Sequence, residues 1–287
     1  MINIFLRYKT KNINNNQPTL SHIRQADKVL FALFTRYGDT IIDLVVIQEF
    51  IEKYPDKKYL ILCPLQMRPY IDELLPDINC IALNKRNFID MLKVNQYLKK
   101  WRPDIGFNPW SNGLDSCYFL TYCRNFLCYK DFDRPDLINH YQVVRRYLQL
   151  PETKWRVNEL VLKQDYQKIL ICPQSTDPSR TISSKQLNVL ISDLNKKYHY
   201  ARITIASMNK VHFRDQCNQF IFRKTAKSSQ QFIDLVKQSD FVISSDSGPL
   251  HIALSLNKDV FAFFKATNPE IVVKSESCLK IGIRLYE

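Results

Sequence analysis

Residues 241–264, FVISSDSGPLHIALSLNKDVFAFF, constrain the fold more than any other stretch of this chain. FVIS is a short apolar run with β-branched residues, SDSG is a polar turn, PLHIALSL has the spacing of a compact helix, and VFAFF is a second apolar run. With so little loop between them, these segments read as a βαβ unit in a parallel sheet buried on both faces. Ser247 or Gly248 suits the helix cap, and Pro249 suits the first helical position, where no N–H is needed. The helix N-terminus beside Asp246, Ser247 and Gly248 is then a place for a phosphate, with a positive dipole end and N–H groups to offer. His251, in the first turn, adds a donor. The same residues also read as an ordinary βα turn with a satisfied histidine, and chemistry alone leaves the two open.

The rest of the chain repeats the alternation. Residues 1–27 are polar and Asn-rich after a short apolar start, and read as an extension. KVLFALF, from Lys28, is the first buried strand, TRYGDT (35–40) is a turn, and the next residues have helical periodicity up to Pro55. KYLILC, CIALN and DIGFNPW are three further strands, separated by the helices MRPYIDELLP and FIDMLKVNQYLKKW. Residues 111–164 are aromatic-rich, broken by DFDRPDL, and resolve into a pattern only at the helix HYQVVRRYLQLP. KILICP then opens a second series, with a loop and helix, the strand ARITIAS, and the amphipathic helix QQFIDLVKQSD. The order predicts an α/β protein with a first domain over 28–150, a linker over 151–167 and a second domain over 168–287. Ligands in such sheets bind at the carboxyl ends of strands. The Gly38-Asp39 turn and the 246–251 cluster both fall at such ends.

Composition narrows the partners. A formal net charge of +13 suits nucleic acid, an anionic membrane surface or a phosphorylated substrate. No helix-turn-helix, zinc-finger or RNP-type motif supports nucleic acid. No apolar run reaches the roughly 18 residues of a membrane span, and the N-terminus has no signal-peptide core. The expectation is a cytoplasmic protein with peripheral contact to an anionic membrane surface. The eight cysteines include no C-x-x-C pair, and Cys123 and Cys128 have no second pair to complete a zinc site, so reduced, mostly buried thiols are expected.

The Asp-Ser-Gly-Pro-x-His run at 246–251, followed by a small-residue helix and an apolar strand, resembles the C-terminal signature of the ADP-heptose:lipopolysaccharide heptosyltransferases of glycosyltransferase family 9. The resemblance implies the GT-B architecture, two Rossmann-like domains facing across a cleft. In that family a Gly-Asp turn follows the first strand and its Asp is the proposed catalytic base, which maps onto Asp39. The family's Lys-x-Trp-Pro loop becomes Arg180-Thr181-Ile182-Ser183, with Arg180 in place of the phosphate-binding Lys; arginine keeps the charge and adds a bidentate fork. Other positions depart further: Pro173-Gln174 for Pro-Gly, Val45 and Val46 where a Pro is frequent, and Lys265-Ala266-Thr267 for Gly-Pro-Thr, which retains Thr267. Asp215 is the candidate for the acid that holds the nucleotide ribose. The family's further C-terminal helix reads as short or absent. Asp131-Phe132-Asp133 spells the D-x-D metal signature of another glycosyltransferase architecture; since family 9 needs no metal, it is set aside.

The implied reaction is an inverting, metal-independent displacement. Asp39 deprotonates an acceptor hydroxyl; Arg180, with N–H groups around Ser247 and Gly248, stabilises the leaving diphosphate; His251 orients that cluster. The implied donor is a nucleotide sugar, ADP-heptose, with no other cofactor, and the implied acceptor is a lipopolysaccharide core. The competing expectation is a non-catalytic nucleotide-sugar-binding or assembly protein, supported by the altered motifs. A serine hydrolase built on Ser247 fails for want of a G-x-S-x-G elbow.

Overall fold

The computed structural model describes residues 18–111, 113–132, 139–151, 162–207, 221–224, 226, 228–265, 267–273 and 281–285. The chain divides into two compact units, Met1–Glu152 and Thr153–Glu287. Asp133, Asp215, Ala266, Cys217, Cys278 and most of the expected linker lie outside the described residues.

The first unit begins, among the described residues, with helix α1 (Leu20–Gln25), inside the stretch expected to be a mere extension. Its Thr19 and His22 form a reciprocal capping box, and Ile23 is buried. Then come β1 (Lys28–Ala32), α2 (Tyr37–Lys53), β2 (Lys58–Pro64), α3 (Arg68–Leu74), β3 (Asn79–Leu83), α4 (Phe88–Trp101), β4 (Ile105–Phe107), α5 (Leu114–Leu120), β5 (Asn125–Leu127) and α6 (His140–Tyr147). The strands form one sheet in the order β3-β2-β1-β4-β5, with every neighbouring pair parallel. Successive side chains of a strand face opposite sides of the sheet, and β1 divides its residues accordingly. Leu30 and Ala32 pack with Leu98 and Met91 of α4 and Leu120 of α5. Phe31 meets Phe50 of α2 edge-on at 5.8 Å and stacks on Phe107 at 5.9 Å. On that second side Arg145 of α6, almost wholly buried, donates to Glu49 of α2 at 2.7 Å.

The second unit contains β6 (Lys168–Cys172), α7 (Ser184–Lys197), β7 (Arg202–Ala206), β8 (Ile221–Lys224), α8 (Ser229–Lys237), β9 (Phe241–Ser245), α9 (Gly248–Ser255), β10 (Asp259–Phe264), α10 (Pro269–Val272) and β11 (Ile281–Leu285). Its sheet runs β11-β10-β9-β6-β7-β8, again parallel throughout. Ile169 and Ile171, with Ile203, Ile205 and Ile243, pack on Leu187, Ile191 and Leu194 of α7. Every residue of β9 is buried, as a central parallel strand covered on both faces requires.

In each sheet the chain builds outward on one side and then returns to the other side of its first strand. The strand order therefore reverses between β1 and β4 in the first unit and between β6 and β9 in the second. Such switch points open a crevice at the carboxyl ends of the strands, where ligands bind. The α/β class is as expected, with β5, β8 and β11 as strands the sequence reading lacked.

Candidate functional site

The second unit places its predicted residues at the β6/β9 switch point. After β6, the chain makes a closed loop. Ile182 N–H donates back to Pro173 O at 2.8 Å, and Thr181 Oγ1 accepts from Ser175 N at 3.1 Å. Within it, Asp177 caps a single 3₁₀ turn, Pro178–Arg180, by accepting from Ser179 N at 3.0 Å and Ser179 Oγ at 2.7 Å. Those bonds, then the nearby Arg180 charge, hold the Asp177 carboxyl below the usual carboxylate range. Ser183 then starts α7 through a capping box with Gln186.

The turn aims Arg180 at the end of β9. Its Nη1 donates to Asp246 Oδ2 at 3.2 Å, and its Nε lies 3.6 Å from Asp177 Oδ2. Asp246 is anchored by its own N–H to Phe263 O of β10 at 3.1 Å, and its side chain is 3% exposed. Ser245 Oγ donates to Gln174 O at 3.1 Å, tying the β6 loop to β9 a second time, and it shares a hydrogen bond with Ser247 Oγ at 3.1 Å.

Two local expectations are corrected here. Ser247 holds the N-cap position of α9, but its hydroxyl turns back onto Ser245 and no side chain caps the helix. The first helical residue is Gly248, which puts Pro249 second. The consequence is an α9 N-terminus without a side-chain cap, next to a guanidinium, which is chemistry suited to an anion. His251 is buried in the first turn of α9. Thr267 is half-buried in the turn after β10, and no hydrogen bond joins it to the Arg180–Asp246 cluster among the described residues. Lys265, which opens that turn, does reach the cluster: its Nζ donates to Thr181 O at 2.5 Å.

In the first unit Gly38 and Asp39 are not a turn. α2 begins at Tyr37, because Arg36 is extended and its carbonyl accepts from both Thr40 N (2.9 Å) and Thr40 Oγ1 (3.0 Å). Asp39 therefore sits half-buried in the first turn of a 17-residue helix, where the dipole favours a negative charge. One turn on, at the same face, is Asp43. It is fully buried, and neither carboxyl oxygen has a hydrogen-bond partner among the described residues. Burial, then the charge of Asp39, drives its pKa well above the ordinary value. Sequence reading missed Asp43, although an acid four residues beyond Asp39 in the apolar run IIDLVVI was the signal.

Beside β1, the end of β4 carries a buried polar node. Asn108 N–H donates to Tyr147 Oη at 2.9 Å, its Nδ2 donates to Ser111 O at 2.9 Å and Ser116 Oγ at 3.0 Å, and its Oδ1 accepts from Tyr129 N at 2.8 Å. This node fixes the loop after β4. Nearby cysteines are free thiols, Cys117, Cys123 and Cys128 among them, all buried. Among the described residues no group of three or more His, Cys, Asp or Glu is placed to hold a metal ion.

Residues 163–274 match the family model of glycosyltransferase family 9 (heptosyltransferase). No curated protein matches the chain in sequence. Among solved structures, the chain is similar to E. coli ADP-heptose LPS heptosyltransferase II, with 14% identity, TM-score 0.69 and 90% of each chain covered. It is similar to E. coli heptosyltransferase WaaC with ADP, with 11% identity, TM-score 0.65, and 91% of this chain and 93% of that one covered. A glycosyltransferase family 9 protein from Veillonella parvula DSM 2008 gives 12% identity and TM-score 0.66, with 91% and 86% covered. At such identities these structures show a shared fold. The family 9 resemblance read from the sequence is thus shown, by the family model over most of the second unit and by the heptosyltransferase-like fold over both.

Proposed function

We propose that this chain is an inverting glycosyltransferase that moves a heptose from ADP-heptose to a lipopolysaccharide core acceptor, without a metal ion. The observation that carries the reading is the Arg180–Asp246 pair at the β6/β9 switch point, beside a helix N-terminus without a side-chain cap. It lies inside the region that matches the family model. A guanidinium held on a buried carboxyl is fixed before the ligand arrives, and preorganised charge is what a departing diphosphate needs. WaaC, similar in fold, has been seen with ADP.

In the proposed reaction Asp39 takes the proton of an acceptor hydroxyl, whose oxygen attacks the anomeric carbon. The bond from that carbon to the diphosphate oxygen breaks, and ADP leaves with the electron pair. Arg180 and the N–H groups around Ser247 and Gly248 receive the charge on the diphosphate. His251 supports the α9 end of that cluster, and Thr267 is assigned to the donor side by its place in the family pattern. The net charge of +13 supports peripheral contact with an anionic membrane face, where such an acceptor resides. Among the described residues no helix is long and apolar enough to cross a membrane.

The test is mass spectrometry of a truncated lipooligosaccharide incubated with the protein and ADP-heptose, then with UDP- and GDP-sugars, with chelator present throughout. A gain of one heptose from ADP-heptose is the expected result. A gain from another donor alone would move the specificity and keep the mechanism. Donor binding without any transfer would establish the non-catalytic reading instead.

A further inference from the structure

The donor site of the second unit has a charge problem that Arg180 does not solve. Its guanidinium faces two carboxyl groups, Asp246 at 3.2 Å and Asp177 at 3.6 Å. One cation shared between two acids leaves these three side chains net negative, which repels an incoming diphosphate that is itself an anion. The N–H groups of α9 add partial charge, but Pro249 withholds one of them.

Lys265 is the second cation. It is half-buried at the carboxyl end of β10, the strand next to β9. Its Nζ donates to the carbonyl of Thr181, the residue directly after Arg180. Among the described residues it forms no salt bridge, so its charge is not neutralised locally. An ammonium has three donors; the bond to Thr181 O fixes the group beside the Arg180 loop and leaves two for a ligand.

Resting on the donor-site reading above, we infer that Lys265 is a donor-binding residue that contacts the diphosphate of the nucleotide sugar and offsets the second carboxylate of the site. The ligand class it recognises is a nucleoside diphosphate or bare pyrophosphate, through charge and not through the base or the sugar.

Calorimetric titration of the full-length protein with ADP, pyrophosphate and adenosine, at low and moderate salt, tests this. Lys265→Met is expected to weaken ADP and pyrophosphate by about tenfold, the share of one charge-assisted hydrogen bond, to leave adenosine unchanged, and to flatten the salt dependence. Lys265→Arg, which keeps the charge, is expected to recover most of the ADP affinity, and thermal melts would confirm that both variants fold. Unchanged ADP affinity in Lys265→Met would overturn the inference while leaving the donor site in place. Equal loss of ADP and adenosine would also overturn it, by reducing Lys265 to a brace for the loop. Failure of the wild-type protein to bind either ADP or pyrophosphate would remove the donor-site reading itself, and this inference with it.

Discussion

Replacing Asp43 with Asn should flatten the pH dependence of stability in the first unit. The carboxyl is fully buried in α2, has no hydrogen-bond partner among the described residues, and titrates well above an ordinary acid because of burial and the charge of Asp39. In an unfolded chain the same group ionises near pH 3.9, roughly the ordinary aspartate value. Between those two pKa values the folded state holds one proton that the unfolded state has lost. Stability then falls as pH rises, by up to about 1.4 kcal/mol per pH unit. Asp43 therefore contributes in full below the unfolded pKa, and that contribution is lost as pH climbs through the folded one. Over two pH units inside that window the loss reaches about 3 kcal/mol, a large share of a domain's usual margin. Asn has nearly the shape of the protonated acid and does not titrate; any cost of burying its amide is the same at every pH. Urea unfolding at pH 5 and pH 7, followed by the fluorescence of Trp101 and Trp110, both in the first unit, gives the comparison. The difference between variant and wild type should grow in the variant's favour as the pH rises from 5 toward 7, with a slope of at most about 1.4 kcal/mol per pH unit. Parallel pH profiles would refute the assignment of a buried, protonated Asp43.

Three further outcomes are expected. Asp39→Ala should lower turnover by about 10²–10⁴-fold, the usual contribution of a general base, with ADP affinity nearly intact by calorimetry; retained turnover with lost affinity would contradict its role. Arg180→Ala should destabilise the second unit by about 3 kcal/mol, because it strands the buried Asp246 carboxyl, and adding Asp246→Asn should recover part of that in a denaturant melt without restoring ADP binding. Gly106→Ala should cost about 1–3 kcal/mol by overpacking, since a Cβ there would lie 2.5 Å from Cys123 Sγ and 2.8 Å from Leu120 Cδ2; a melt equal to wild type would show that α5 and its following turn yield easily.

Two strands legible in the sequence, KILIC and FVISS, are five residues long and built on uninterrupted apolar runs, ILIC and FVI, and the sheets bury them almost entirely. β5 escapes because it is three residues, Asn125–Leu127, with a polar residue at its head, and only its pairing with β4 makes it a strand. The Arg180 loop and the 246–251 run were legible as site residues because loop and helix-start chemistry is local. What the loop does with them was not legible. Lys265 stands 84 positions from the Thr181 carbonyl it holds, and no pattern in either segment announces the other. The helical start at Tyr37, in place of a Gly-Asp turn, is a local miss of another kind: Thr40 folds its hydroxyl onto Arg36 O, four residues back.

The β6/β9 pairing also fixes when the proposed donor site comes into being. β9, α9 and β10 are consecutive and can assemble among themselves, but Arg180 must wait for Asp246, which is 66 residues further along the chain. At a translation rate of roughly 5–20 residues per second, that is a delay of about 3–13 seconds. During it, the arginine loop is synthesised with neither its acid nor the strand that carries it. Closing so long a loop costs entropy before any contact repays it. On the proposed function, binding of a nucleotide at this site would report that the second sheet has closed across its centre, between β6 and β9.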